Sequence, residues 1–350
     1  MGFITGLTLE ELKDELHSLG MERFRAGQVL SWVYKKFVSD FGRMTDISKD
    51  HRAILSERFS FHPLKLVGYV DGSDATKYLF RTQEGYLIES VLIKERDHLT
   101  LCVSSQVGCA VGCKFCATAL DGLTRNLRAE EIIDQFLQVQ QRTEERIRNV
   151  VFMGMGEPLA NYENVRKAAL IMVSSWGLDL SKRRVTISTS GLLSQLKRMS
   201  ADPVMRELNL AVSLNAPSQE EREKLMPITK TNPLLELMKV LRDFPLPRYR
   251  RITLEYVLIK GVNDSRAHAV ELARLIGKDR KRFKINLIPY NPDPSLPYER
   301  PTLESVLAFQ KVLWENGIAT FIRFSKGYEV FGACGQLRSG RYELTTRVAD

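Results

Sequence analysis

The period of the hydrophobic positions changes twice along this chain, and each change marks a new kind of structure. Residues Thr8 to Leu19 and Glu22 to Phe37 repeat apolar side chains every three or four positions, which predicts two short amphipathic helices. Thr8 and Glu11 stand at capping-box spacing and open the first. A third helix is expected over 48–58, after the Met44-Thr45-Asp46 turn. From Leu64 to Lys94 the pattern becomes an alternation, in runs at 65–70, 76–81 and 85–93, with Asp71-Gly72 and Glu84-Gly85 at the turns. These runs predict a small antiparallel meander.

Beyond residue 98 short apolar runs alternate with helical ones. Strands are expected at 99–105, 149–155, 184–190, 207–214, 251–259 and 284–290, and helices at 129–143, 162–174, 192–200, 233–243, 265–277 and 302–316. This order argues for parallel strands joined by crossover helices. Six such units are too few to close an eight-stranded barrel, and in parallel barrels the chemistry sits at the C-terminal ends of the strands.

The composition, 44% hydrophobic and 27% charged over 350 residues, is that of a globular protein with a substantial core. No apolar run approaches bilayer length and the Met1-Gly-Phe-Ile start lacks a basic leader, so a cytoplasmic protein is expected. Fifty-one Lys and Arg against 42 Asp and Glu give a net charge of +9, which favours a polyanionic partner. The charge is clustered: Lys35-Lys36, Arg248-Tyr-Arg-Arg251 and Lys278-Asp-Arg-Lys-Arg282 each lie beside or contain an aromatic residue (Tyr34, Tyr249, Phe283) able to stack on an unpaired base. Each is equally readable as a solvated loop or helix end.

Five cysteines in such a chain point to metal or redox chemistry more than to disulfides. Three of them, Cys109, Cys113 and Cys116, are spaced C-x3-C-x2-C on one loop containing Gly112. Each iron of a 4Fe-4S cube takes one thiolate, so three ligands leave one iron open to a small chelating ligand. The competing reading is a structural zinc ion, which wants four ligands, usually as two short pairs; neither a second C-x2-C pair nor an H-x3-5-H pair is present, and the five histidines are scattered.

That loop, the string Cys102-Val-Ser-Ser-Gln-Val-Gly-Cys109, Gly154-Met-Gly-Glu-Pro158 and Ala333-Cys-Gly-Gln-Leu337 together resemble the RlmN/Cfr family of radical S-adenosylmethionine RNA adenine methyltransferases, over about Thr8 to Leu337 and in the family's order. The resemblance implies an α/β fold: a partial (β/α)6 TIM-like barrel at 98–332, a small N-terminal helical RNA-docking accessory domain at 1–62, a β meander linker at 63–97, and a catalytic-cysteine loop and tail at 333–350. It implies a 4Fe-4S cluster on Cys109, Cys113 and Cys116, and S-adenosylmethionine, two per turnover, held by Gly156, Glu157, Ser188, Ser213, Leu214, Asn215 and Asn291. Asn215 departs from the histidine most often found at that position.

The resemblance further implies that Cys334 receives a methyl group, that a radical formed at the cluster removes a hydrogen from that methyl, and that the carbon radical adds to C2 of an adenosine in 23S rRNA and of the anticodon-adjacent adenosine in tRNA. Glu89 would take the C2 proton, and Cys102 would attack Cys334 to release the product as a disulfide forms. By patterning alone Glu89 is the polar face of an alternating strand. A monomer served by an electron donor such as flavodoxin or ferredoxin is implied as well. Cfr-like members act at C8 instead. A stretch rich in Asp precedes the final cysteine motif in some members, where this chain has Gly327-Tyr-Glu-Val-Phe-Gly332.

Overall fold

Residues 2–338 and 347–348 are described by a computed structural model. The first amphipathic stretch forms α1 (Leu9–Ser18), the second α2 (Arg25–Tyr34) and the third α3 (Lys49–Arg58). The Thr8 hydroxyl accepts from the Glu11 N–H at 3.3 Å and the Glu11 carboxylate accepts from the Thr8 N–H at 2.7 Å, completing the capping box read from the sequence. The apolar faces of α1 and α2 meet through Leu12, Leu16, Val29, Leu30 and Val33, all within the same continuous core as the rest of the molecule. The helical module is fastened by polar contacts too. Tyr34 donates to the Thr5 carbonyl at 2.8 Å, and Thr5 donates to the Phe61 carbonyl at 3.0 Å.

The alternating segment forms β1 (Lys65–Asp71), β2 (Ala75–Arg81) and β3 (Leu87–Lys94). These strands are continuous with the main sheet, because β3 pairs antiparallel with the first barrel strand, β4 (Leu99–Cys102), in the register Val91↔Cys102. The remaining strands are β5 (Ile147–Phe152), β6 (Val185–Thr189), β7 (Asn209–Ser213), β8 (Ile252–Leu258), β9 (Phe283–Pro289), β10 (Thr320–Ile322) and β11 (Arg347–Val348).

All eleven lie in one sheet whose order is β10-β9-β8-β7-β6-β5-β4-β3-β2-β1-β11. From β4 to β10 every pairing is parallel. The connecting helices are α4 (Ala129–Gln140), α5 (Tyr162–Val173), α6 (Leu193–Ala201), α7 (Gln219–Leu225), α8 (Leu234–Asp243), α9 (Arg266–Ile276) and α10 (Leu303–Glu315). Six βα units thus end on a seventh parallel strand, β10, and the sheet stays open, since β10 and β11 are its edges. This is the expected partial barrel. Three of these elements are new: β10, β11 and α7 have no counterpart in the sequence pattern.

The first barrel strand stops at Cys102, earlier than its apolar run suggests. The chain then forms a separate ribbon in which 106–108 pairs antiparallel with 123–126. The cysteine loop is the excursion between the two sides of this ribbon. No helix among the described residues is long and apolar enough to cross a membrane.

Candidate active site

The ends of the parallel strands converge on one cavity, lined by Cys109, Cys113 and Cys116 on one side and by Gly156, Glu157, Ser188, Ser213, Asn215 and Asn291 on the other. Local geometry fixes the cysteine loop. Gly108 has φ +75°, and a Cβ there would lie 1.9 Å from the Gly122 carbonyl oxygen, so only glycine lets the two sides of the ribbon close at that point. The Cys109 N–H then donates to that same oxygen at 2.8 Å. Phe115 roots the other end of the loop among Ala216, Leu225, Met226, Ile259 and Tyr290.

Burial pushes all three thiols up, Cys109 to about 12 and Cys113 and Cys116 in the same direction. Such thiols surrender their protons to a strongly bound metal centre more readily than to bulk water. Among the described residues no three His, Cys, Asp or Glu are grouped to hold a single metal ion. Three thiols on one short loop supply one ligand to each of three irons of a 4Fe-4S cube, and fall one short of the four that a tetrahedral zinc takes.

Opposite the loop, Glu157 is buried. Its carboxylate accepts from the Ser190 N–H at 2.6 Å and the Leu159 N–H at 3.0 Å, and its own N–H donates to Gln106 at 2.8 Å. Burial raises its pKa, and these hydrogen bonds oppose the rise. Its carboxylate thereby ties the end of β5 to the end of β6. Gly156 has φ +101°, and a Cβ would fall 2.5 Å from the Gln106 Cβ. Asn215, at φ +60°, accepts from the Val257 N–H at 2.9 Å and receives the Asn263 amide on its carbonyl at 2.7 Å. Leu214 differs from its neighbours: its side chain is fully buried away from the cavity. Its backbone is engaged as well: its N–H donates to the Glu255 carbonyl at 2.9 Å, and its carbonyl accepts from the Ala216 N–H at 2.8 Å and from the Arg222 Nε at 3.1 Å. Glu255 is a site residue that sequence reasoning missed. It lines the cavity, faces Ser188 at 3.4 Å, and burial raises its pKa. The sequence pattern does not mark it, because a carboxylate within a strand such as Ile252–Leu258 reads as a solvent-facing position.

Cys334 stands between two cavities. It lines the cysteine-loop cavity and also a second one of about 330 Å³, which it shares with Cys102, Arg323 and Glu95. All five cysteines are free thiols, so the implied Cys102–Cys334 disulfide is not formed here. Burial pushes the Cys102 thiol far up, and the Arg323 guanidinium opposes this. The tail loop is docked. Its Gly335 carbonyl accepts from the Ala117 N–H at 2.7 Å, its Leu337 carbonyl accepts from the Thr118 hydroxyl at 2.6 Å, and Asn291 donates to the Cys334 carbonyl at 3.1 Å. The unusual stretch before it forms a turn in which Glu329 accepts from the Ser73 hydroxyl at 3.1 Å.

Glu89 lines neither cavity. Two residues before Val91, it shares the face of β3 that lies opposite Cys102, and it is fully buried. Lys77 of β2 lies 3.3 Å from one carboxylate oxygen, and the other accepts from the Arg338 N–H at 3.0 Å. The basic clusters are dispersed. Lys35 pairs with Asp179 and Lys36 lies over the Trp32 ring. Arg250 and Arg251 join Arg183, Asn209, Tyr249 and Lys284 around a cleft of about 270 Å³ at the N-terminal ends of the strands, away from the cysteines.

An open parallel barrel with three loop cysteines after its first strand and a cavity at its strand ends that carries a few polar side chains is the arrangement of the radical S-adenosylmethionine enzymes. The comparisons agree: residues 103–273 match the radical SAM superfamily, and residues 4–60 match the ribosomal RNA large subunit methyltransferase N-terminal domain. The chain is 69% identical over 345 residues to the "Probable dual-specificity RNA methyltransferase RlmN" of Aquifex aeolicus (strain VF5), covering 98% of this chain and 99% of that protein. It is 44% identical to the "Dual-specificity RNA methyltransferase RlmN" of Geotalea uraniireducens (strain Rf4), covering 98% of each. A crystal structure of a radical SAM methyltransferase from Sphaerobacter thermophilus superposes with a TM-score of 0.91 at 41% identity, over 97% of this chain and 99% of that one. The chain belongs to the RlmN family of radical SAM RNA methyltransferases.

Proposed function

We propose that this enzyme methylates C2 of one adenosine in 23S rRNA and of the anticodon-adjacent adenosine in tRNAs, with Cys334 as the methyl carrier. The observation that carries this reading is the position of Cys334, which opens both onto the cavity of the three loop cysteines and onto the cavity of Cys102. A single thiol that receives a group on one side and is cleared on the other needs both exposures. The name of the relatives, dual-specificity RNA methyltransferase, supports the two RNA classes.

Cys109, Cys113 and Cys116 would hold a 4Fe-4S cluster. Gly156, Glu157, Ser188, Ser213, Asn215 and Asn291 would hold S-adenosylmethionine, used twice per turnover. When bound, these groups would supply a carbon-centred radical able to take a hydrogen atom from a methyl group. The chain's residues do the rest. Cys334 holds the methyl within reach of both cavities. Glu89 accepts the C2 proton, a role supported by the hydrogen bond its carboxylate takes from the Arg338 N–H just past the tail loop at 3.0 Å. Cys102 then displaces the product carbon from Cys334: the two sulfurs join, the Cys102 proton goes to the departing carbon to complete the methyl, and the one unpaired electron of the adduct would leave to the one-electron redox centre that the cysteine loop would hold; an external dithiol must return both sulfurs to thiols before the next turnover. An electron donor such as flavodoxin or ferredoxin would reduce the cluster. A monomer in the cytoplasm, with the 4–60 module docking RNA, completes the proposal.

The test is anaerobic purification followed by nucleoside mass spectrometry. The expected protein is brown, holds iron and sulfide at about four each per chain, and restores 2-methyladenosine to rRNA and tRNA of a strain lacking the gene. Methylation at C8 with C2 bare would replace the proposed position. Colourless protein carrying zinc would remove the reading altogether.

A further inference from the structure

Helix α7, absent from the sequence pattern, delivers an arginine with no exposed surface to the back wall of the site. The Arg222 guanidinium donates from Nη2 to the Ser190 carbonyl at 2.6 Å and the Ser213 carbonyl at 3.0 Å. Its Nε donates to the Leu214 carbonyl at 3.1 Å, and Nη1 to the Thr229 hydroxyl at 2.7 Å. Three of these acceptors are the backbone ends of β6 and β7, where Ser213 and its neighbours face the cavity. The same helix is fastened to the cysteine loop: the Lys114 N–H donates to the Leu225 carbonyl at 2.9 Å, and Leu225 and Met226 pack on Phe115.

Every one of those four acceptors is neutral. Hydrogen bonds satisfy the geometry of a buried guanidinium but not its charge, and a buried charge without a counter-charge is strongly disfavoured. Helix α7 holds this charge against the cysteine loop, through the Lys114–Leu225 hydrogen bond and the packing of Leu225 and Met226 on Phe115. The protein therefore keeps a buried positive charge on the helix that braces the loop proposed to hold an anionic thiolate-bound cluster.

We infer that Arg222 is a positioning residue for the cofactor site: its fork sets the ends of β6 and β7 that receive S-adenosylmethionine, and its charge balances the thiolate-bound cluster. This rests on the reading that Cys109, Cys113 and Cys116 hold a 4Fe-4S cluster. The two roles separate in two substitutions. Arg222→Lys keeps the charge and loses the fork, because one ammonium cannot reproduce the planar set of donors. Arg222→Met keeps much of the bulk and loses both.

The experiment compares the full-length, anaerobically purified wild type and both variants in S-adenosylmethionine affinity by equilibrium binding and in cluster midpoint potential by redox titration followed by electron paramagnetic resonance. The inference expects S-adenosylmethionine binding to weaken about 10- to 100-fold in both variants, the range seen when groups that orient ligands are removed. It expects the cluster potential to fall in Arg222→Met and to stay near the wild-type value in Arg222→Lys. Equal potentials in the Lys and Met variants overturn the charge role, and undiminished cofactor affinity in Arg222→Lys overturns the positioning role. If Arg222→Met fails to fold, the Lys variant alone decides, since it must pair weakened binding with an unchanged potential. Wild-type protein without iron would instead defeat the cluster reading on which the inference stands.

Discussion

Gly108 and Gly112 give the sharpest test of how the cysteine loop is built, because they share a backbone conformation and differ in the space around them. Their φ angles are +75° and +73°. At Gly112 the nearest atom to an added Cβ is the Pro227 Cγ at 4.0 Å, whereas at Gly108 it is the Gly122 carbonyl oxygen at 1.9 Å. Gly112→Ala should therefore show only the left-handed backbone cost, about 1–2 kcal/mol. Gly108→Ala adds a displacement of about 1 Å across the ribbon, which strains the packing by about 1–3 kcal/mol, and it breaks the Cys109 N–H to Gly122 bond, worth about 0.5–1.5 kcal/mol. The expected destabilisation is thus about 3–6 kcal/mol. It falls on the residue beside the first cysteine of the loop. Urea unfolding would measure the stability difference, and iron and sulfide content after anaerobic reconstitution would measure the functional one. Gly112→Ala should retain its cluster and Gly108→Ala should lose most of it. Two variants alike in stability and iron content would refute the claim that the approach to Gly122 shapes the loop.

Three other outcomes are expected. Lys77 and Glu89 form a buried ion pair, so Lys77→Met should cost about 3–5 kcal/mol, while Lys77→Met combined with Glu89→Gln should recover much of it; strictly additive losses in urea unfolding would contradict the pairing. In metal-free protein the Cys109 thiol, pushed up to about 12 by burial from an ordinary 9.0, should be alkylated at pH 8 about 1000-fold more slowly than a free thiol, with the rate rising about tenfold per pH unit up to pH 11. Peptide mass spectrometry after timed quenching would show it, and a rate like that of glutathione would refute it. Finally, if the cleft of Arg183, Arg251 and Lys284 touches RNA phosphates, neutralising these cations should lower the slope of log affinity against log salt by about 0.7–0.9 for each phosphate no longer neutralised, with kcat unchanged at saturating RNA; an unaltered slope would make this face a solvated surface.

Much of this architecture was legible in the chain because two periodicities carry it. The alternation between Leu64 and Lys94 and the six apolar runs after residue 98 all became strands, and the Thr8–Glu11 box closed as its spacing requires. What escaped had weak patterning. Strand β10 has three residues, too few to show a period. Helix α7 reads Gln-Glu-Glu-Arg-Glu-Lys-Leu, charged on every side, and its only local signal is the Ser218 hydroxyl accepting from the Glu221 N–H at its start. The cysteine triad and the strand-end residues were readable from motif spacing. Glu255 and Arg222 were not, because an acidic residue in a strand and a basic one in a polar helix look like solvent-facing positions until the tertiary structure closes around them. The meander, expected as a linker, proved to be one end of the main sheet, since pairing between β3 and β4 depends on a turn that sequence patterning leaves undetermined.

The order of the sheet has a consequence for how the enzyme comes into being. Strands β1 to β10 lie in the sequence in which they are synthesised, and the segment bearing Cys334 follows the last of them before the chain reaches β1 at the far edge. A nascent polypeptide extended to residue 333 would already carry strands β1 to β10 and the cysteine loop, and would still lack the Cys334 thiol proposed as the methyl carrier. Apart from β11, the sheet and the cysteine loop are thus complete in the chain before that thiol is added.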